Sequence, residues 1–305
     1  MNGFHHEAVF YRDDAEYLAG TVPDIRDAVA GDGSVLVAVG EDKQRLLREA
    51  LGADAERVAF IDMPRLGRNP ACIIPAWREF LGGAGPGPIV GVGEPVWPGR
   101  GEAELAECSR HESLLNLAFD GGRAWRLLCP YDAAALEPAV LAQARRNHPH
   151  LSSAGDHSPS PDYTQPPAAF TGDVQLPAPT TRPAQVDFGP ADLVLVRRFV
   201  TERARAAGFA QSRLTDLVLA VNELVANTLR HAGGSGVVRT WTDGDTFLCE
   251  VSDGGRIADP LAGRRRPSDL HGTGRGLWIV NQLCDLVQVR GSTAGTVVRL
   301  HMRLA

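Results

Sequence analysis

In Glu223-Leu224-Val225-Ala226-Asn227 a carboxylate and an amide stand four residues apart. On a helix that spacing places them one turn apart on one face. An amide oxygen is a hard ligand for Mg²⁺, and a carboxylate can take or orient a hydroxyl proton. Downstream, Asp253-Gly254-Gly255 offers a carboxylate to an exocyclic amine, beside glycines that let backbone approach a flat base. Further on, His271-Gly272-Thr273-Gly274-Arg275-Gly276-Leu277 puts glycines before a helix start, where free backbone N–H groups suit a triphosphate. Each piece alone has a plainer reading: a solvated helix face, a turn, common loop chemistry. In this order they suggest a nucleotide site.

The elements that must position these groups are legible. Ala191–Ala207 reads as a helix with Leu193, Val196, Phe199 and Val200 in one stripe. Ser212 reads as the N-cap of the next helix. With Leu214 at zero and ~100° per residue, Leu217, Val218, Val221, Leu224, Val225, Thr228 and Leu229 share one broad arc. Glu223 and Asn227 fall nearly opposite, with Asp216 and Arg230 beside them. Gly236–Thr242 and Thr246–Ser252 form a hairpin about Asp243-Gly244-Asp245. A helix over Leu277–Leu286 precedes a second hairpin, Val287–Arg290 with Thr296–Arg303. A Rossmann reading fails, because no βαβ unit with a ribose carboxylate follows the glycines. The run Arg264-Arg265-Arg266 is either a solvated loop or a contact for phosphate or partner; both stay open.

Taken together, these residues resemble the GHKL ATPase superfamily over residues 188–305. Glu223-Leu224-Val225-Ala226-Asn227 matches its N box, Asp253-Gly254-Gly255 its first glycine box and Gly272-Thr273-Gly274-Arg275-Gly276-Leu277 its second. Gly295-Thr296 matches the late threonine that supports adenine recognition. The small size, without a dimerisation hairpin, is similar to the anti-sigma-factor serine kinase (RsbW-like) branch. The resemblance implies an α+β sandwich with helices on a mixed, mostly antiparallel sheet. It implies ATP and Mg²⁺ as cofactors, with Asp253 and Gly255 at the adenine and Thr296 in support. It also implies Asn227 on Mg²⁺, Gly272, Gly274 and Gly276 in a closing lid, and Glu223 as general base for a serine hydroxyl of a partner. The usual first box is Asp-x-Gly-x-Gly; here Ile257 stands in place of the last glycine.

The first half alternates strand and helix. Strands are expected over 34–39, 57–63, 88–92 and 124–129, and helices over 42–51, 70–81, 102–119 and 137–146, with Asn69 as N-cap before Pro70. This is an α/β domain with a parallel sheet. Gly40-Glu41-Asp42-Lys43 is not a P-loop, so no nucleotide chemistry is expected here. Three polar clusters stand out: His5-His6 ahead of Tyr11-Arg12-Asp13, Arg110-His111-Glu112, and Cys129-Pro130-Tyr131-Asp132. Each is either capping and turn chemistry or part of a ligand pocket. Tyr11-Arg12-Asp13, Gly67-Arg68-Asn69-Pro70-Ala71, Pro75-Ala76-Trp77-Arg78, His111-Glu112-Ser113-Leu114-Leu115-Asn116 and Leu128-Cys129-Pro130-Tyr131-Asp132 resemble the MEDS domain, named after a dichloromethane-responsive regulator. That resemblance implies a sensory module of degenerate RecA-like fold, reading a small-molecule signal.

Between the halves, residues 148–187 hold Pro149, Pro159, Pro161, Pro166, Pro167, Pro177, Pro179 and Pro183. Such a segment reads as an extended or mobile linker between domains at 1–147 and 188–305. It leaves no room for the long phosphoacceptor hairpin of histidine kinases, which argues against two-component autophosphorylation.

A net charge of −6 gives no reason to expect direct nucleic-acid binding, which usually shows a basic patch or a high pI. The five cysteines are scattered and odd in number, as in a reducing compartment. No apolar run approaches the ~20 residues of a membrane span, so a cytoplasmic protein is expected. The expected function is a serine/threonine protein kinase and anti-sigma factor under sensory control, with a sigma factor or a STAS-type antagonist as partner. A non-catalytic nucleotide-dependent switch and a degenerate scaffold are the alternatives. A homodimer stays open.

Overall fold

The computed structural model describes residues 3–153, 155–165, 175–267 and 274–304. The chain divides into two compact units at residue 170.

In the first unit six parallel strands form the sheet: β1 (Phe4–Tyr11), β2 (Ser34–Val39), β3 (Val58–Asp62), β4 (Ile89–Gly93), β5 (Trp125–Asp132) and β6 (His150–Ser153). An antiparallel edge strand, β7 (Asp156–Pro159), completes it, in the order β3-β2-β4-β5-β1-β6-β7. The connecting helices are α1 (Asp14–Ala30), α2 (Glu41–Leu51), α3 (Met63–Leu66), α4 (Ile73–Gly83), α5 (Glu102–Ala118) and α6 (Pro138–Asn147). This is the expected α/β architecture. The inner strands are buried on both faces, which is why Val35 to Val39 read as one apolar run. Asn69 does cap, accepting from the Ala71 N–H at 3.2 Å, but it caps a 3-10 turn over Pro70–Cys72 that leads into α4. Gly91 and Gly93 of β4 make room for the Trp77 ring, since a Cβ on either would lie 2.9 Å from it.

The first strand and the first helix escape the sequence reading. β1 lies between β5 and β6, and α1 follows it. β1 carries the polar run His5-His6-Glu7, yet His6 and Glu7 are buried. Glu7 receives Arg126 Nη2 at 2.8 Å and His157 Nδ1 at 2.6 Å. Burial would raise its pKa, but the His5, His157 and Arg126 contacts outweigh it and hold the carboxyl down to about 2.

The proline-rich stretch also contributes structure. Its first residues form β6 and β7 of this sheet, and residues 184–188 form a strand of the second. Pro159 is tolerated because β7 is an edge strand.

The second unit is a five-stranded sheet in the order β11-β12-β10-β9-β8: β8 (Ala184–Phe188), β9 (Gly236–Asp243), β10 (Thr246–Asp253), β11 (Leu286–Ser292) and β12 (Gly295–Arg303). All its pairings are antiparallel, in keeping with the expected sandwich of helices on a mixed, mostly antiparallel sheet. Against it pack α7 (Leu193–Ala206), α8 (Gln211–His231) and α9 (Arg275–Leu283). The core joins Val196 and Val200 of α7, Leu217, Val221 and Leu224 of α8, Val280 of α9, and Phe247, Cys249 and Val251 of β10. Ser212 does not cap α8. The helix begins one residue earlier, Ala210 is the extended N-cap, and it offers no side-chain bond. No described helix is long and apolar enough to cross a membrane.

Candidate functional site

The apolar arc of α8 turns Leu217, Val221, Leu224 and Val225 into the core, which leaves Glu223 and Asn227 half-buried on the other side. They are not a solvated face, because the start of α9 lies directly on them. A Cβ on Gly276 would meet Asn227 Nδ2 at 2.9 Å and Glu223 Oε2 at 3.0 Å, so only glycine lets the helix approach this closely. Gly274, two residues earlier, is the N-cap before α9 and takes a left-handed conformation (φ 92°). Neither the Glu223 nor the Asn227 side chain has a hydrogen-bond partner among the described residues.

Asn227, Asp253, Gly255, Gly274, Gly276 and Thr296 line one cavity of about 240 Å³. Glu223 stands beside it, under Gly276, and does not line it. Gly272 lies outside the described residues. Asp253 closes β10, opposite Thr296 of β12. Its carboxylate is held from two sides: Thr228 Oγ1 donates to Oδ2 at 2.6 Å, and the Gly255 N–H donates to Oδ1 at 2.8 Å. Thr296 Oγ1 donates to the Gly255 carbonyl at 2.9 Å, tying the glycine turn to β12. Apolar walls come from Leu224, Val251, Ala262, Leu277 and Val298, with Ile257 at the mouth. The mix of apolar walls with a few fixed polar groups suits a flat heterocycle with a charged tail.

The arginine run separates into different surroundings. Arg264 is buried, Arg265 Nη1 lies 3.3 Å from Asp259, and Arg266 is exposed. Thr228, His231 and Arg256 also line the cavity and were not singled out as site residues. Thr228 had a signal: it is a hydroxyl in an otherwise apolar arc, next to Asn227.

The profile of MEDS, described as "MEthanogen/methylotroph, DcmR Sensory domain", matches residues 5–149. That of the histidine kinase-like ATPase domain matches residues 187–302. The chain carries a MEDS domain and a histidine kinase-like ATPase domain. No curated protein matches the chain. The crystal structure of the RsbU and RsbW domains of Rv1364c from Mycobacterium tuberculosis is similar over 41% of this chain, at 22% identity and a TM-score of 0.32. The match covers 32% of that chain, about a third of its length.

In the MEDS domain the three polar clusters part ways. Some members are caps: Asp13 accepts from the Glu16 N–H at 2.8 Å, and Asp132 from the Ala134 and Ala135 N–H groups at 3.0 Å. His6, Glu112 and Cys129 instead converge on one buried point. Separately, at the C-terminal edge of the parallel strands, Tyr11 donates to Glu94 Oε1 at 2.7 Å, and Lys43 Nζ lies 4.7 Å from the Tyr11 ring centroid.

Burial pushes Glu94 up from 4.5 to about 7, against the pull of the Tyr11 hydroxyl and Lys43. The folded MEDS domain therefore keeps a proton between those values that the unfolded chain gives up. This contribution to stability is complete below about pH 4.5 and is lost as pH rises through 7. Relative to a Glu94→Gln chain, the wild type should lose roughly 3 kcal/mol between about pH 4.5 and pH 7.5. Urea unfolding of both chains at the two pH values measures this, and equal slopes would refute it.

Proposed function

We propose that the chain is a signalling regulator whose ATPase domain binds ATP–Mg²⁺ and either sequesters a sigma factor or phosphorylates a serine of a STAS-type antagonist, under control of the MEDS domain. The observation that supports this best is the meeting of Asn227, Asp253 and Thr296 in one cavity, with Glu223 at its side and a helix start pressed onto both α8 residues.

In this reading Asp253 accepts from the adenine amine, and Thr296 keeps the Gly255 turn in place beneath the base. Asn227 gives its amide oxygen to the metal, a hard-ligand role that its half-buried, otherwise unpartnered side chain fits. Mg²⁺ supplies neutralisation of phosphate charge. Gly272, Gly274 and Gly276 let backbone N–H groups close over the phosphates. Glu223 lies outside the cavity lining, where an incoming serine hydroxyl would reach it, and takes or orients that proton. No long helical hairpin with an acceptor histidine precedes the domain among the described residues, which favours an acceptor on another protein.

The test uses the full chain with labelled ATP and Mg²⁺, with and without a STAS-type protein bearing an acceptor serine. Saturable binding and transfer of label to that serine are the expected results. Binding without transfer to any partner leaves a nucleotide-dependent binding switch. Absence of binding refutes both.

A further inference from the structure

Four buried side chains from four parts of the MEDS domain meet at one point. His6 stands on β1, Glu112 on α5, Cys129 on β5 and His148 at the C-terminal cap of α6. None is more than 1% exposed, and their ligand-capable atoms all lie within 4.8 Å of one another. Glu112 Oε2 is 3.1 Å from His6 Nε2 and 3.1 Å from His148 Nε2. Cys129 Sγ is 3.4 Å from His6 Nε2.

The hydrogen bonds around the cluster fix the tautomers. The Ala144 carbonyl, which can only accept, lies 2.8 Å from His148 Nδ1. Asn116 donates its amide N–H to the Asn147 carbonyl at 2.8 Å, so its Oδ1 is the atom 3.0 Å from His6 Nδ1. Both Nδ1 atoms are donors. The Nε2 lone pairs of the neutral rings therefore face a carboxylate oxygen and a sulfur. His148 Nε2 and Glu112 Oε1 have no hydrogen-bond partner among the described residues. Protonating both rings would bury two cations, with centroids 4.1 Å apart, against one carboxylate. One cation at the centre would engage both Nε2 lone pairs, the carboxylate and the sulfur together.

We propose that His6, Glu112, Cys129 and His148 form a binding site for one divalent transition-metal ion, zinc foremost. Binding forms bonds from two neutral imidazoles, one carboxylate and one thiolate, and the Cys129 proton leaves to solvent. The two anionic ligands balance the two charges of the ion. The thiolate and imidazoles favour zinc and its neighbours over Mg²⁺ or Ca²⁺. Metal–ligand bonds of about 2.0–2.3 Å in a tetrahedron put ligand atoms roughly 3.4 Å apart, close to the 3.1, 3.1 and 3.4 Å of the three contacts above, and no pair exceeds 4.8 Å. The Asn116 and Ala144 contacts orient the two rings as partners of metal-bound histidines commonly do. With four protein ligands and no access to solvent, the ion ties β1, α5, β5 and the end of α6 together; it leaves no open position for catalysis.

The test takes the untagged full chain, strips it with chelator and titrates it with Co²⁺, then Zn²⁺. One ion per chain is expected, with a thiolate-to-cobalt charge-transfer band that saturates at one equivalent and is displaced by zinc. Zinc should also raise the melting temperature. Cys129→Ser should abolish the band and weaken binding by more than about 100-fold while the circular dichroism spectrum is retained. A wild-type chain that takes up no stoichiometric ion overturns the proposal, as does a band that survives Cys129→Ser. Should that variant fail to fold, the metal content and melting shift of the wild type still decide.

Discussion

Glu223→Gln should lower phosphate transfer to a partner serine by on the order of 10²–10⁴-fold and leave ATP–Mg²⁺ affinity within about twofold. The split follows from where Glu223 sits. It is one helical turn before Asn227 and outside the cavity lining, and it makes no hydrogen bond to a described residue. Nothing in the proposed base site depends on it. Gln keeps its shape under Gly276, where Oε2 makes the close approach, but it cannot take a proton. Single-turnover transfer with labelled ATP, beside calorimetric ATP binding, separates the two quantities. Unchanged transfer would remove Glu223 from the chemistry. A parallel loss of binding would make it part of the nucleotide site instead.

Asn227→Ala should weaken ATP–Mg²⁺ binding by at least about 100-fold, or ~2.7 kcal/mol. Here the side chain lines the cavity, and its amide has no competing partner among the described residues. Removing it takes away the neutral oxygen proposed for the metal and leaves the phosphates facing only backbone. Asn227→Asp should fail as well, because it sets a second negative charge beside the triphosphate. Titrations with Mg²⁺ and with chelator discriminate the cause. The loss should be large with the metal and small without it; equal losses would show that Asn227 touches the nucleotide rather than the ion.

The helix that carries both residues was legible because its apolar positions repeat with helical period, and the core confirms the arc. The two glycine boxes gave the order of elements, and the hairpins fell within a residue or two of the observed strands. What stayed hidden was whatever polar contacts had disguised. β1 does not read as a buried strand because His6 and Glu7 are polar, and their burial becomes tolerable only through Asn116, Glu112, Arg126 and His157, residues distant in sequence. Thr228 passed for one more member of the apolar arc, since its partner Asp253 lies on another element. The strands on either side of the prolines were missed for the opposite reason. β6 and β8 are short, and each is completed by pairing with a strand already in place, β1 and β9. Cys129 and Glu112 looked like separate local features, because only the fold brings them to one point.

The bonds that Thr228 and Gly255 make to Asp253 have a consequence for which purine the proposed site admits. Each donor occupies a different carboxylate oxygen, so the group is a stopped rotor before any base arrives. An amine meeting it is bound without first halting a side chain. A carbonyl oxygen in the same place meets negative charge that cannot turn aside. Under the proposed reading the pocket would sort bases by the sign of one edge, accepting the 6-amino purine and repelling the 6-oxo one, with the threonine on α8 keeping that filter from relaxing.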